Sequence, residues 1–119
     1  MAALNPLQQQ MSELSSQLMD TVDNLKFTEA SIFSLDQERR RFHLTLAEIN
    51  GQAEEAILYK PVGRVYLMQS KDEFLLDLNN SIRKNDQDLE ESQRRRQMLV
   101  KRRDEISANI QDLVASVRN

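Results

Sequence analysis

The side chains of this chain that could do chemistry are few, and none has a working partner at a useful spacing. His43 is the only histidine, and there is no cysteine. A metal site needs several ligands at set distances along the chain, and nothing here completes one around His43. His43 therefore reads as a surface residue near a helix end. Ser34-Leu35-Asp36 and the other serines lack a base that could activate a hydroxyl. The acidic pairs Glu54-Glu55 and Glu90-Glu91 are adjacent on expected helices, where neighbouring side chains diverge instead of sharing a proton. The two glycines stand alone, so no glycine-rich loop can cradle a phosphate. The residues predict no catalytic site, no cofactor and no metal, and the chain is not expected to be an enzyme.

The basic clusters Arg94-Arg95-Arg96 and Lys101-Arg102-Arg103 could instead serve nucleic acid, as a basic region running into a zipper does. Their placement opposes that. They are interleaved with an apolar repeat where a basic region would precede it, and Glu90, Glu91, Asp104 and Glu105 flank them. A formal charge of −3 adds no general attraction to nucleic acid or to anionic lipid. The clusters read as the solvated face of a coiled coil, and no nucleic-acid partner is expected.

Such a face implies long elements, and the composition agrees. The 119 residues allow one domain, 1–119. With only 2 Gly, 2 Pro and no Trp, turn chemistry is scarce and the chain must run in long uninterrupted segments. No stretch approaches the ~18–20 apolar residues of a membrane span, so no membrane role is expected. Met1 to Met11 shows neither a basic segment nor a long apolar one, so no signal peptide is expected. The absence of cysteine fits a reducing compartment, and the chain is expected to be soluble and intracellular.

Asn5-Pro6 starts the first helix, Asn as the cap and Pro where its missing N–H costs nothing. From there a seam steps by four and three from Leu7, Met11, Leu14 and Leu18 through Thr21, Leu25, Thr28 and Ile32. It continues through Leu35, Arg39, Phe42, Leu46 and Ile49 to Ala53 and Ala56. The period is about 3.5, that of a coiled coil. Thr45 followed by Glu48 has the form of a capping box, and Gly51 follows soon after. The first helix is therefore expected over about 6–44, with a short helical turn or connector over 45–56. The unbroken repeat also permits a single helix running through.

Between Ile57 and Ser70 the helical spacing is lost, and β-branched and aromatic residues take over. Pro61 would break a helix here, and Gly63 takes positive φ freely. A β-hairpin over 57–69, turning about Val62–Arg64, is the natural reading. Pro61 suggests an edge or irregular first strand, leaving Val65 to Gln69 as the better one. Ser70 and Glu73 then form a capping box for a second helix over 71–118. Its seam runs from Leu75 and Leu78 to Leu113 and Val117, with Asn85, Ser92, Arg96 and Arg103 as polar members in the middle.

Each helix would reach ~60–70 Å, and no third element exists to cover them. They must cover each other. A short hairpin makes them antiparallel, so the fold class is mostly α: a long antiparallel two-helix coiled coil with a short β-hairpin at the connection. Folding about Gly63 sets Arg103 near Asp23, Arg96 near Glu29, and Arg39 near Asp86 and Asp88. Such pairs fix register while adding little stability. The first helix is the acidic partner.

Two apolar surfaces exceed what this fold buries. Tyr59, Val62, Val65, Tyr66, Leu67 and Met68 are too many for two short strands, and an isolated hairpin is marginal in water. Its edges would be templates for strands of other chains, which predicts oligomerisation through the hairpin. At the far end Leu4, Leu7, Met11 and Leu14 face Ile106, Ile110, Leu113, Val114 and Val117. Helices that end at free termini fray, and flexible apolar surface binds varied partners loosely. The same residues could equally do no more than close the coiled coil.

The stretch Tyr59-Lys60-Pro61-Val62-Gly63-Arg64-Val65-Tyr66-Leu67-Met68-Gln69-Ser70, flanked by long heptad helices, resembles a β-type subunit of the prefoldin family. His43-Leu44-Thr45 before it and Gln69-Ser70-Lys71 after it add to the likeness. The resemblance implies a heterohexameric chaperone of two α-type and four β-type subunits. Hairpins of such a particle pair into a central platform and coiled-coil arms hang from it. The arm tips hold unfolded clients, typically actin and tubulin chains, and pass them to the cytosolic group II chaperonin without ATP. One hairpin per chain is the β-type feature. Tyr59, Val62, Gly63, Val65, Tyr66, Leu67 and Met68 would then belong to the platform. Leu4, Leu7, Met11, Leu14, Ile110, Leu113, Val114 and Val117 would meet clients. Pro61 departs from the pattern, because it removes a ladder donor from the first strand. The alternative is a purely structural coiled-coil adaptor of another complex, with the same helices and a closed tip.

Overall fold

The computed structural model describes residues 5–118. Two long helices frame a two-stranded hairpin: α1 Pro6–Asn50, β1 Ile57–Val62, β2 Val65–Ser70 and α2 Lys71–Arg118. This is the expected fold class. The residues group into two compact units, one of residues up to Ile32 and from Glu91 onward, the other Phe33–Glu90.

Helix α1 begins on a reciprocal capping box. The Gln8 amide donates to Asn5 Oδ1 at 2.7 Å, and the Asn5 amide donates to Gln8 Oε1 at 3.3 Å. In the first unit the seam residues Thr21, Leu25 and Thr28 of α1 and Leu99 and Ile106 of α2 are buried. The two threonines keep their hydroxyls satisfied by donating to the carbonyls of Gln17 and Asn24 one turn earlier. Arg96 reaches Glu29 at 3.3 Å, the pairing that the antiparallel register requires. Arg103 does not reach Asp23. It bonds its own neighbour Asp104 at 3.2 Å, because an adjacent carboxylate asks for less ordering than one on the other helix.

In the second unit Ile49, Leu78, Asn85 and Leu89 are buried. Arg39 lies 3.8 Å from Asp86, again as the register requires. Asn85 donates to the Leu35 carbonyl at 3.2 Å, crossing from α2 to α1, while its Oδ1 is buried without a partner. A lone buried amide in an apolar seam restricts the register more than it stabilises it.

The expected helix end at 43–44, with a separate turn over 45–56, is corrected: α1 runs unbroken to Asn50. Thr45 Oγ1 donates to the Arg41 carbonyl at 2.9 Å, so the hydroxyl serves the helix interior and caps nothing. Burial of Ile49 one turn further on keeps the segment on the seam. Gly51 does not take positive φ either, and only Gly63 does among the described glycines. Backbone bonds from the Gly51 amide to the Ala47 carbonyl and from the Gln52 amide to the Ile49 carbonyl close the helix end. Lys71 Nζ then donates to the Gln52 carbonyl at 2.8 Å, tying this connector to the start of α2.

Candidate functional site: the hairpin and the helix ends

The hairpin is built by its turn. Val62 pairs with Val65, leaving Gly63-Arg64 as a two-residue loop. Gly63 has φ +60° and Arg64 does not have positive φ, the signature of a type II′ turn, whose twist matches that of the strands. The ladder runs antiparallel from Val62–Val65 to Ile57–Ser70 without a bulge. Pro61 does not shorten it: β1 is as long as β2, and Pro61 stands opposite Tyr66.

Alternation divides the hairpin into two faces. Leu58, Lys60, Leu67 and Gln69 share one, and it is tied to α2. Asp77 on the second turn of α2 accepts from Gln69 Nε2 at 3.0 Å, and Lys60 Nζ lies 3.7 Å from the same carboxylate. Leu58 and Gln69 are half-buried here. Beneath Gln69 a small cavity is lined by Phe74, Leu78 and Ser81. The cap of α2 holds the junction, since the Glu73 amide donates to Ser70 Oγ at 3.2 Å.

The opposite face carries Ile57, Tyr59, Pro61, Tyr66 and Met68. All five are exposed, with Tyr66 at 69% and Tyr59 at 60%. Val62, Val65 and Leu67 near the turn are exposed as well. A two-stranded sheet with apolar residues open on one whole face is unusual for a chain that acts alone. Ile57 is not among the residues expected at this surface. The alternation that puts it beside Tyr59 and Met68 is the signal that could have found it. The Lys60–Asp77–Gln69 tie leaves no such signal.

At the chain-terminal helix ends, Met11 and Leu14 of α1 and Ile110, Leu113 and Val114 of α2 are half-buried, and all belong to the first unit. Leu7 at 39% and Val117 at 58% are exposed. Leu4 lies outside the described residues. The set therefore keeps apolar surface open to solvent even with the helices formed. Away from the seams, Phe27 and Phe33 on α1 are also exposed.

Among the described residues no group of His, Cys, Asp or Glu is arranged to hold a metal ion. No described helix is long and apolar enough to cross a membrane. His43 is exposed, as are Arg94, Arg95, Lys101 and Arg102 of the two basic clusters.

A family model described as "Prefoldin subunit" matches residues 7–116. Over 112 residues the chain is 25% identical to prefoldin subunit 1 of Homo sapiens, covering 94% of this chain and 92% of that one. It is 24% identical to prefoldin subunit 1 of Danio rerio over the same shares. Its fold is similar to the crystal structure of the prefoldin beta subunit from Thermococcus strain KS-1. That match has a TM-score of 0.80 at 23% identity, covering 94% of this chain and 96% of the other.

Proposed function

The chain belongs to the prefoldin subunit family, and from that premise we propose that it is a β-type subunit of a heterohexameric cytoplasmic co-chaperone. With α-type and β-type companions it holds unfolded polypeptides, actin- and tubulin-like chains among them, at the ends of its coiled coil. It passes them to the group II chaperonin without ATP. The observation that carries this reading is the open apolar face of the hairpin, Ile57, Tyr59, Pro61, Tyr66 and Met68, on a sheet too small to stand alone. Burying that face between subunits removes it from water and leaves the helix ends free for clients.

The mechanism follows from weak contacts made many times. Leu7, Met11, Leu14, Ile110, Leu113, Val114 and Val117 offer partly open apolar surface, which a client segment covers with a small gain at each arm. Arms joined at one platform present this surface at high effective concentration, so avidity holds the client. Release then needs only competition from the chaperonin, and no chemistry.

The test uses the chain assembled with its companion subunits, with light scattering from actin diluted out of denaturant as the readout. Exchanging Leu7, Met11, Ile110 and Leu113 for Ser is expected to abolish suppression of aggregation while the particle keeps its mass. Unchanged suppression would remove the client role and leave a structural adaptor.

A further inference from the structure

In a hairpin with a two-residue loop, the pair flanking the loop exchanges both backbone hydrogen bonds, and such pairs alternate with non-bonded ones down the ladder. Val62–Val65, Lys60–Leu67 and Leu58–Gln69 are therefore the bonded pairs here. Pro61–Tyr66, Tyr59–Met68 and Ile57–Ser70 are the others, and their backbone groups point away from the hairpin, toward its two outer edges. Pro61 thus loses no bond within the hairpin, which is why β1 keeps its full length. The missing donor is one that would have faced outward.

The two edges are consequently unequal. Along β2, Tyr66 and Met68 each present an amide donor and a carbonyl acceptor to a neighbour. Along β1, Ile57 and Tyr59 do so, but at Pro61 the donor is replaced by a ring. Proline inside a sheet is confined to strands whose N–H side has no partner. We propose that a strand of a neighbouring subunit runs along the whole of β2, and that pairing along β1 goes no further than Tyr59. Pro61 then determines which edge of the hairpin carries the complete contact. The occupant is an extended strand, because a row of donors and acceptors repeating at every second residue matches nothing else in protein chemistry. This rests on the platform reading above.

Residue-resolved hydrogen exchange on the chain, alone and assembled with its companion subunits, tests it. The amides of Tyr66 and Met68 are expected to slow at least tenfold on assembly. A Tyr66 amide left unchanged while those of Ile57 and Tyr59 slow would overturn the proposal. Two variants separate backbone from side chain. Tyr66→Pro removes one outward donor without touching the hairpin's own bonds, and is expected to weaken assembly at least tenfold relative to Tyr66→Val. Pro61→Thr, which restores a donor, is expected to change assembly less than twofold. Equal assembly of the two Tyr66 variants, or tenfold tighter assembly of Pro61→Thr, would overturn it. Failure of the wild-type chain to assemble at all would instead remove the platform reading itself.

Discussion

Arg96 of α2 lies 3.3 Å from Glu29 of α1, two residues far apart in the chain that meet only if the helices run in opposite directions. Arg39 and Asp86 repeat the relationship in the second unit at 3.8 Å. All four side chains keep about half their surface in water, so each pair contributes only about 0–1 kcal/mol. Their effect is on register. Glu29→Gln is expected to lower the thermal midpoint by a few degrees at most, as the loss of a half-exposed ion pair should. The swap of Glu29→Arg with Arg96→Glu should recover what either single reversal loses, read as a double-mutant cycle in denaturant.

The seam separates buried from partly open positions, and truncation should report the difference. Ile106 is buried, and Ile106→Ala is expected to cost about 2–4 kcal/mol in chemical unfolding. Leu7, exposed near the start of α1, should cost below ~1 kcal/mol when cut to Ala. Equal losses at both positions would mean that Leu7 is packed as firmly as Ile106.

Two residues that look like caps should behave differently. Ser70 accepts from the Glu73 amide, so Ser70→Ala should cost ~1 kcal/mol. Thr45 donates back to Arg41 within a continuous helix, so Thr45→Ala should change stability by less than ~0.5 kcal/mol or raise it. Thermal unfolding of both variants decides the matter. A loss at Thr45 matching that at Ser70 would restore a break in α1.

Asn85 is buried in the seam with its Oδ1 unpaired. Asn85→Leu is expected to raise the thermal midpoint, since it replaces an unsatisfied polar group with packing atoms. It should also loosen the choice of register, seen as a broader distribution of assembled species by size-exclusion chromatography. A lower midpoint would show that the bond to the Leu35 carbonyl outweighs the orphaned oxygen.

Much of this architecture is legible in the residues because few physical terms decide it. The seams, the loss of helical period at Ile57, and the Asn5 and Ser70 caps each rest on local pattern. The pairings of Arg96 with Glu29 and of Arg39 with Asp86 follow from the turn position alone. Thr45 misled because a threonine three residues before a glutamate has the same form inside a helix as at its start. Burial of Ile49 on the seam settles which one it is. Arg103 chose Asp104 over Asp23 for a reason no register can show, the short reach to an adjacent side chain. The tie of Lys60 and Gln69 to Asp77 depends on how the hairpin leans on α2, and a linear pattern carries no trace of that.

In the proposed particle the open face of the hairpin is buried among other small subunits. Native mass spectrometry of the tagged chain, purified gently from its own cells, tests this most directly. A hexameric particle of small coiled-coil subunits containing this chain is the expected result. A homodimer, or a complex with a single large partner, would contradict it.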